Sequence, residues 1–98
     1  IAQLTDKITQ RVDYKCMQGE NQYLLTHGWK PEDGFLKNNW ESYSEDAILY
    51  LLAIGSRNNS ISPNSWYAWE RPWQEFGGYR YLASVSPLFI HQFSHGWV

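Results

Sequence analysis

The sequence holds a single cysteine, Cys16, so no internal disulfide can staple the chain. A lone thiol does not distinguish a reducing from an oxidising compartment, and we read Cys16 as a small buried hydrophobe. No apolar run approaches the roughly 18 to 20 residues that a membrane span requires, which argues against membrane insertion by this segment. An excess of positive charge is missing too: 8 Lys and Arg against 10 Asp and Glu leave a formal net charge of -2. That balance removes the usual basis for binding a phosphate backbone, so nucleic acid is not an expected partner. Internal repeats, low-complexity tracts and linkers are absent, and 98 residues suffice for one small domain.

Aromatic residues are abundant instead. Six Trp and seven Tyr in so short a chain call for a packing or a binding role. Ile1, Leu4, Ile8 and Val12 fall on one stripe at helical spacing, predicting an amphipathic helix over residues 1–17. The chain starts inside that stripe without Met and ends just after "SHGWV", so we expect an excerpt of a longer protein. Residues 18–41 carry Gly19, Gly28, Pro31 and Gly34 and read as loop with short extended pieces. A second helix is expected over 43–54, with Ser42 as N-cap and Gly55 just past its end. Between Ala47 and Ile54 only the Tyr50 hydroxyl is polar, so this helix should be enclosed by protein. Ser62 and Pro63 read as N-cap and first residue of a third helix stopping near Pro72. "EFGGYRYLASVS" is turn-rich with a short strand, and Pro87 could open a fourth helix over 87–95.

Four blocks, "HGWKPEDGF", "NWESYSEDAILYLLAIGS", "SPNSWYAWERPW" and "PLFIHQFSHGWV", occur in this order and spacing. Together they resemble the glucoamylase-like domain family, which includes bacterial endo-β-1,2-glucanases and has a related domain in cyclic β-1,2-glucan synthases. The resemblance covers residues 10–98; Tyr14 stands where the family pattern leads one to expect Trp. It implies an all-α fold, part of an (α/α)6 toroid with a central sugar cavity. Residues 1–98 would then belong to a single catalytic domain truncated at both ends. The implied activity is a glycoside hydrolase acting on a β-linked glucan, β-1,2-glucan favoured, without cofactor or metal. An oligosaccharide or polysaccharide would be its partner, a monomer its full-length state, and a bacterial periplasm or exterior its compartment.

Glycoside hydrolysis needs two carboxyl groups, one to protonate the leaving oxygen and one to activate water or attack. Of the acids in "NWESYSEDA", Glu45 has two readings: third residue of a capping box with Ser42, or proton donor. The resemblance favours the donor, because the family's W-x-x-Y-x-E pattern falls on Trp40, Tyr43 and Glu45. Glu41 and Asp46 keep the plainer reading of first-turn acids favoured by the helix dipole. Trp29, Trp40, Tyr43 and Trp97 sit in loops or at helix mouths, where binding residues gather, and are the expected sugar contacts. Trp66, Trp69 and Trp73 share a helical spacing that fits core packing better. His91 and His95 are four apart, but Gln92 stands where the metalloprotease pattern needs Glu, so no metal is expected. Gln92 and His95 are read as hydroxyl partners of sugar on the strength of the resemblance. A transglycosylating domain and a non-catalytic carbohydrate-binding helical module remain open beside the hydrolase, and the second carboxylate is not assigned.

Overall fold

The computed structural model describes residues 1–83 and 88–97. The first helix, α1 (Ala2–Thr9), is about half as long as its apolar stripe predicts. Its threonines explain the early stop: Thr5 and Thr9 hydroxyls donate back to the carbonyls of Ile1 (3.1 Å) and Thr5 (2.7 Å). Such back-bonding competes with the helical ladder. Asp13 Oδ1 then accepts the Cys16 N–H at 2.9 Å and starts a separate 3-10 turn, Cys16–Gln18. Cys16 is exposed there, which corrects the expectation of a buried thiol. No residue of α1 is buried.

Strands β1 (Trp29–Lys30) and β2 (Gly34–Phe35) form an antiparallel hairpin with Trp29 opposite Phe35. The loop Pro31-Glu32-Asp33 is closed by Gly34 at φ 75°, the left-handed residue that a three-residue hairpin loop requires. Pairing continues toward the neck through Leu36 N–H to Gly28 O (2.9 Å), His27 N–H to Asn38 O (2.9 Å) and Trp40 N–H to Leu25 O (2.8 Å).

Helix α2 spans Ala47–Gly55 with Asp46 as N-cap, four residues later than the sequence predicts. Ser42 is unavailable as a cap because its backbone is engaged in a parallel bridge to Glu70. Tyr43 N–H donates to Glu70 O (2.9 Å) and Glu70 N–H to Glu41 O (2.7 Å), holding 41–43 extended. Only Tyr50 and Ala53 of α2 are buried, while Leu51 and Leu52 are each 42% exposed. The expected all-round enclosure is therefore absent among the described residues.

Helix α3 (Ser65–Ala68) is one turn long; Trp69 already has extended backbone, φ -88° and ψ 146°. The chain continues into β3 (Trp73–Phe76) and β4 (Tyr79–Leu82), an antiparallel pair in full register from Trp73–Leu82 to Phe76–Tyr79. Gly77 and Gly78, at φ 58° and 80°, supply the two positive φ values of a tight hairpin turn. Trp73 thus leaves the helical stripe for a strand and is 56% exposed, whereas Trp69 is buried at 5%. Helix α4 spans Phe89–His95; its expected opening at Pro87 lies outside the described residues.

The all-α expectation, and the fragment of an (α/α)6 toroid with it, is overturned: the structure is 33% helical and 17% strand, a small mixed α/β fragment. Two glycine-closed hairpins occupy segments that an all-helical chain would wind, and the longest described helix has 9 residues. The core gathers around α2: Tyr14, Leu25, Tyr43, Tyr50, Ala53, Ile61, Trp69 and Ile90. No helix is long and apolar enough to cross a membrane among the described residues.

Candidate functional site

The segment entering α2 is fastened from three directions. Tyr50, on the second turn of the helix, donates its hydroxyl hydrogen to Trp40 O at 2.6 Å and accepts the Leu25 N–H at 3.1 Å. Glu70 grips the backbone of 41–43, as described above. From α4, the Ser94 hydroxyl donates to Ser44 O at 3.0 Å. Glu45 therefore sits half-buried in a turn whose backbone is fixed on both sides. Its neighbour Asp46 donates its N–H to Ser44 Oγ at 3.3 Å and accepts the Leu49 N–H at its carbonyl at 2.9 Å.

Burial, and secondly the charge of Glu45, push the Asp46 carboxyl above its ordinary value, while His27 pulls the other way. His27 is stacked on Trp40, ring centroids 3.9 Å apart and planes 25° apart. An aromatic-imidazole stack and two adjacent carboxyls thus share the mouth of α2. Tyr50 is also raised, first by burial, with the Leu25 N–H lowering it and Asp46 adding a smaller upward push.

Beside this turn lies an apolar groove of about 210 Å³. Tyr43, Ala47 and Ile48 form one side, Trp66, Trp69 and Arg71 another, and His95 and Trp97 close it. Trp66 and Trp69 meet edge to face at 5.1 Å. The Arg71 guanidinium lies 3.5 Å from the centroid of the Trp69 ring and donates to the carbonyls of Trp66 and Trp69. A cation at the end of a short helix offsets the partial negative charge of its free carbonyls, so Arg71 both caps α3 and stiffens the indole wall. Burial lowers its pKa from the ordinary value, with Tyr67 opposing.

The structure brings Tyr43, His95 and Trp97 of the expected binding residues into this groove and leaves Glu45 and Trp40 on the adjoining turn. Tyr43 is 7% exposed and belongs to the core, whereas Trp97 is 63% exposed. Gln92 is exposed on α4 outside the groove lining. Trp29 lies on β1, away from the groove, 58% exposed. His91 packs its ring at 5.5 Å from Tyr43 and 6.2 Å from Tyr81. Among the described residues no group of three or more His, Cys, Asp or Glu converges as metal ligands would. Three contributors were missed in the sequence: Arg71, His27 and Ser94. For Arg71 a signal existed, a cation two residues beyond the last of two closely spaced Trp residues, Trp66 and Trp69; His27 and Ser94 are joined to the site only by tertiary pairing.

A model of the family described as "Putative glucoamylase" matches residues 37–98, well over half of the chain. The match takes in the turn before α2, the indole wall and α4. No curated protein and no solved structure matched the chain.

Proposed function

Since the chain belongs to the putative glucoamylase family, we propose that it serves hydrolysis of a β-linked glucan, β-1,2-glucan before others, with Glu45 as proton donor. The observation that carries this reading is the position of Glu45. It lies between Tyr43 and Ala47, which both line the apolar groove, on a turn held by Tyr50, Glu70 and Ser94. A fixed carboxyl beside an aromatic-walled groove suits a reaction in which one face of a pyranose stacks and its glycosidic oxygen must be protonated.

In that reaction the Glu45 carboxyl hydrogen passes to the glycosidic oxygen as the anomeric C–O bond breaks. Water then adds at the anomeric carbon: either a second, ionised carboxylate takes its proton, or that carboxylate acts first as nucleophile and the now ionised Glu45 takes the proton of the water that displaces it. Trp97 and the Trp66–Trp69 wall supply apolar surface for the ring, and His95 a hydrogen-bonding group for its hydroxyls. Asp46, whose carboxyl is pushed above its ordinary value by burial and then by the Glu45 charge, stands next to Glu45 in the chain.

The test compares Glu45→Gln with Asp46→Asn by the release of reducing ends from β-1,2-glucan. Glu45→Gln should fold and bind glucan but lose about 100- to 10,000-fold in turnover, the usual worth of a general acid. Near-normal turnover in a folded Glu45→Gln protein overturns the assignment. Loss confined to Asp46→Asn would make Asp46 the donor.

A further inference from the structure

A second cavity, larger than the groove, is not lined by Glu45. It is an open cleft of about 630 Å³ between the loop after the 3-10 turn and the β1–β2 hairpin. That size falls within the roughly 300–1,000 Å³ of small-molecule sites. Its floor is rigid: Thr26, 4% exposed, donates its hydroxyl to Leu36 O at 2.8 Å, and its N–H meets Met17 O at 2.9 Å. Leu36 and one ring, Phe35, form the apolar part of the wall, and the ring is 37% exposed. Gly19 lets it come close: at φ 57° this residue needs no side chain, and a Cβ there would meet Phe35 Cβ and Cγ at 3.2 Å. Trp29 lies directly opposite Phe35 in the hairpin, so the two aromatic side chains share a face.

The polar groups around this ring are of both kinds. Asn21 commits its side-chain oxygen to the N–H groups of Tyr23 (2.9 Å) and Leu24 (2.7 Å), which leaves its NH2 as a donor. Gln18 commits its NH2 to Gln22 O at 2.9 Å, which leaves its carbonyl as an acceptor. Glu20 and Asp33 add carboxylates from opposite walls, and Lys37 adds an ammonium. Each sugar hydroxyl both donates and accepts, and a pyranose presents an apolar C–H face between its hydroxyls. A cleft that pairs one exposed ring with separated donors and acceptors is complementary to that pattern. An anionic ligand would face two carboxylates against one ammonium.

We infer that the cleft between Glu20 and the β1–β2 hairpin is a saccharide-binding site that holds a neutral gluco-oligosaccharide on Phe35, apart from the Glu45 groove. The choice of glucan rests on the function proposed above; the site itself does not require that Glu45 be a catalyst. Its position on the hairpin, whose neck leads directly into Trp40, lets it hold a distal part of the chain that the groove acts upon.

The experiment is titration of the 15N-labelled protein with a linear β-1,2-linked glucopentaose. Saturable shifts are expected at the amides of Gly19, Gly34 and Lys37. Asp33→Asn and Glu20→Gln, both exposed, should keep the Thr26 amide in place and weaken binding at those amides about tenfold, the equivalent of one hydrogen bond to a charged group. Phe35→Ala should weaken it further; because that change can loosen the hairpin, the two carboxylate variants decide. Shifts confined to residues around Trp69, no saturable shift, or wild-type affinity in both carboxylate variants would each overturn the inference. Glu45→Gln should leave the cleft titration unchanged. A protein that binds in the cleft yet cleaves nothing would defeat the catalytic reading and leave this one standing.

Discussion

Tyr50→Phe removes one oxygen atom and keeps the ring that fills the core. Tyr50 is 2% exposed and its hydroxyl makes two hydrogen bonds, to Trp40 O at 2.6 Å and from Leu25 N–H at 3.1 Å. Two net hydrogen bonds are worth about 1 kcal/mol each, and an unpaired N–H at Leu25, itself fully buried, adds a desolvation cost of about 1 to 2 kcal/mol. The sum is about 3 to 4 kcal/mol, which for a chain of this length lowers Tm by roughly 12 to 30 °C. Urea unfolding followed by tryptophan fluorescence measures it as a lower midpoint at unchanged slope. Tyr67→Phe, at a ring 77% exposed, is the control and should stay within about 0.5 kcal/mol of wild type. The titration of Tyr50 adds a second signature. Its pKa is raised, so the folded state favours the protonated phenol. That contribution is fully present below the unfolded value near 10 and is lost as pH rises through the higher folded value. Tyr50→Phe should therefore show a shallower alkaline loss. A Tyr50→Phe protein as stable as the Tyr67→Phe control would refute the view that this hydroxyl fastens the entrance of α2.

Asp46 has the same sign at the acid end: its raised pKa means that burial opposes its ionisation, so its effect on stability worsens as pH rises from 3.8 through the folded value. Asp46→Asn should be more stable than wild type at neutral pH and should flatten that stretch of the stability–pH curve; an unchanged curve would show that the carboxyl is well solvated. The two tryptophan classes should separate in thermal melts. Trp69→Ala, at 5% exposure, should cost about 3 to 5 kcal/mol, and Trp97→Ala, at 63%, under about 0.5 kcal/mol while weakening glucan binding. Equal losses of stability at both positions would assign Trp97 to the core.

Legibility in the sequence varied with how local each determinant is. The apolar run of α2 and the turn glycines of the hairpins are local signals and were readable. The start of α2 was not, because Ser42 is an equally good cap until Glu70, 28 residues later, claims its backbone. Strand β3 was hidden for a different reason. Trp66, Trp69 and Trp73 fit a helical period, and only the extended backbone at Trp69 breaks it. The first helix failed in the opposite direction, since its stripe is helical to Val12 but Thr5, Thr9 and Asp13 spend their side chains on backbone groups. At the candidate site, Tyr43, His95 and Trp97 come together, while the electrostatic centre falls on Asp46 and His27. Nothing in their spacing brings those two residues near each other; the neck of the first hairpin does so.

That neck has a consequence for how the chain tolerates change. Leu25 and Trp40 are tied to each other by one backbone bond and to the same phenolic oxygen by two more, so everything between them is a loop closed at its base. The entropy of a closed loop rises only logarithmically with its length, about 0.6 kcal/mol for each doubling. Residues inserted at Pro31-Glu32-Asp33 would lengthen the far end of this loop and leave the registration of Trp40, Glu45 and α2 untouched. The same insertion between Glu41 and Asp46 would have to break the pairing with Glu70 and the contact from Ser94. The tip of the hairpin is thus the place where related chains can differ in length, and the five residues before α2 are the place where they cannot.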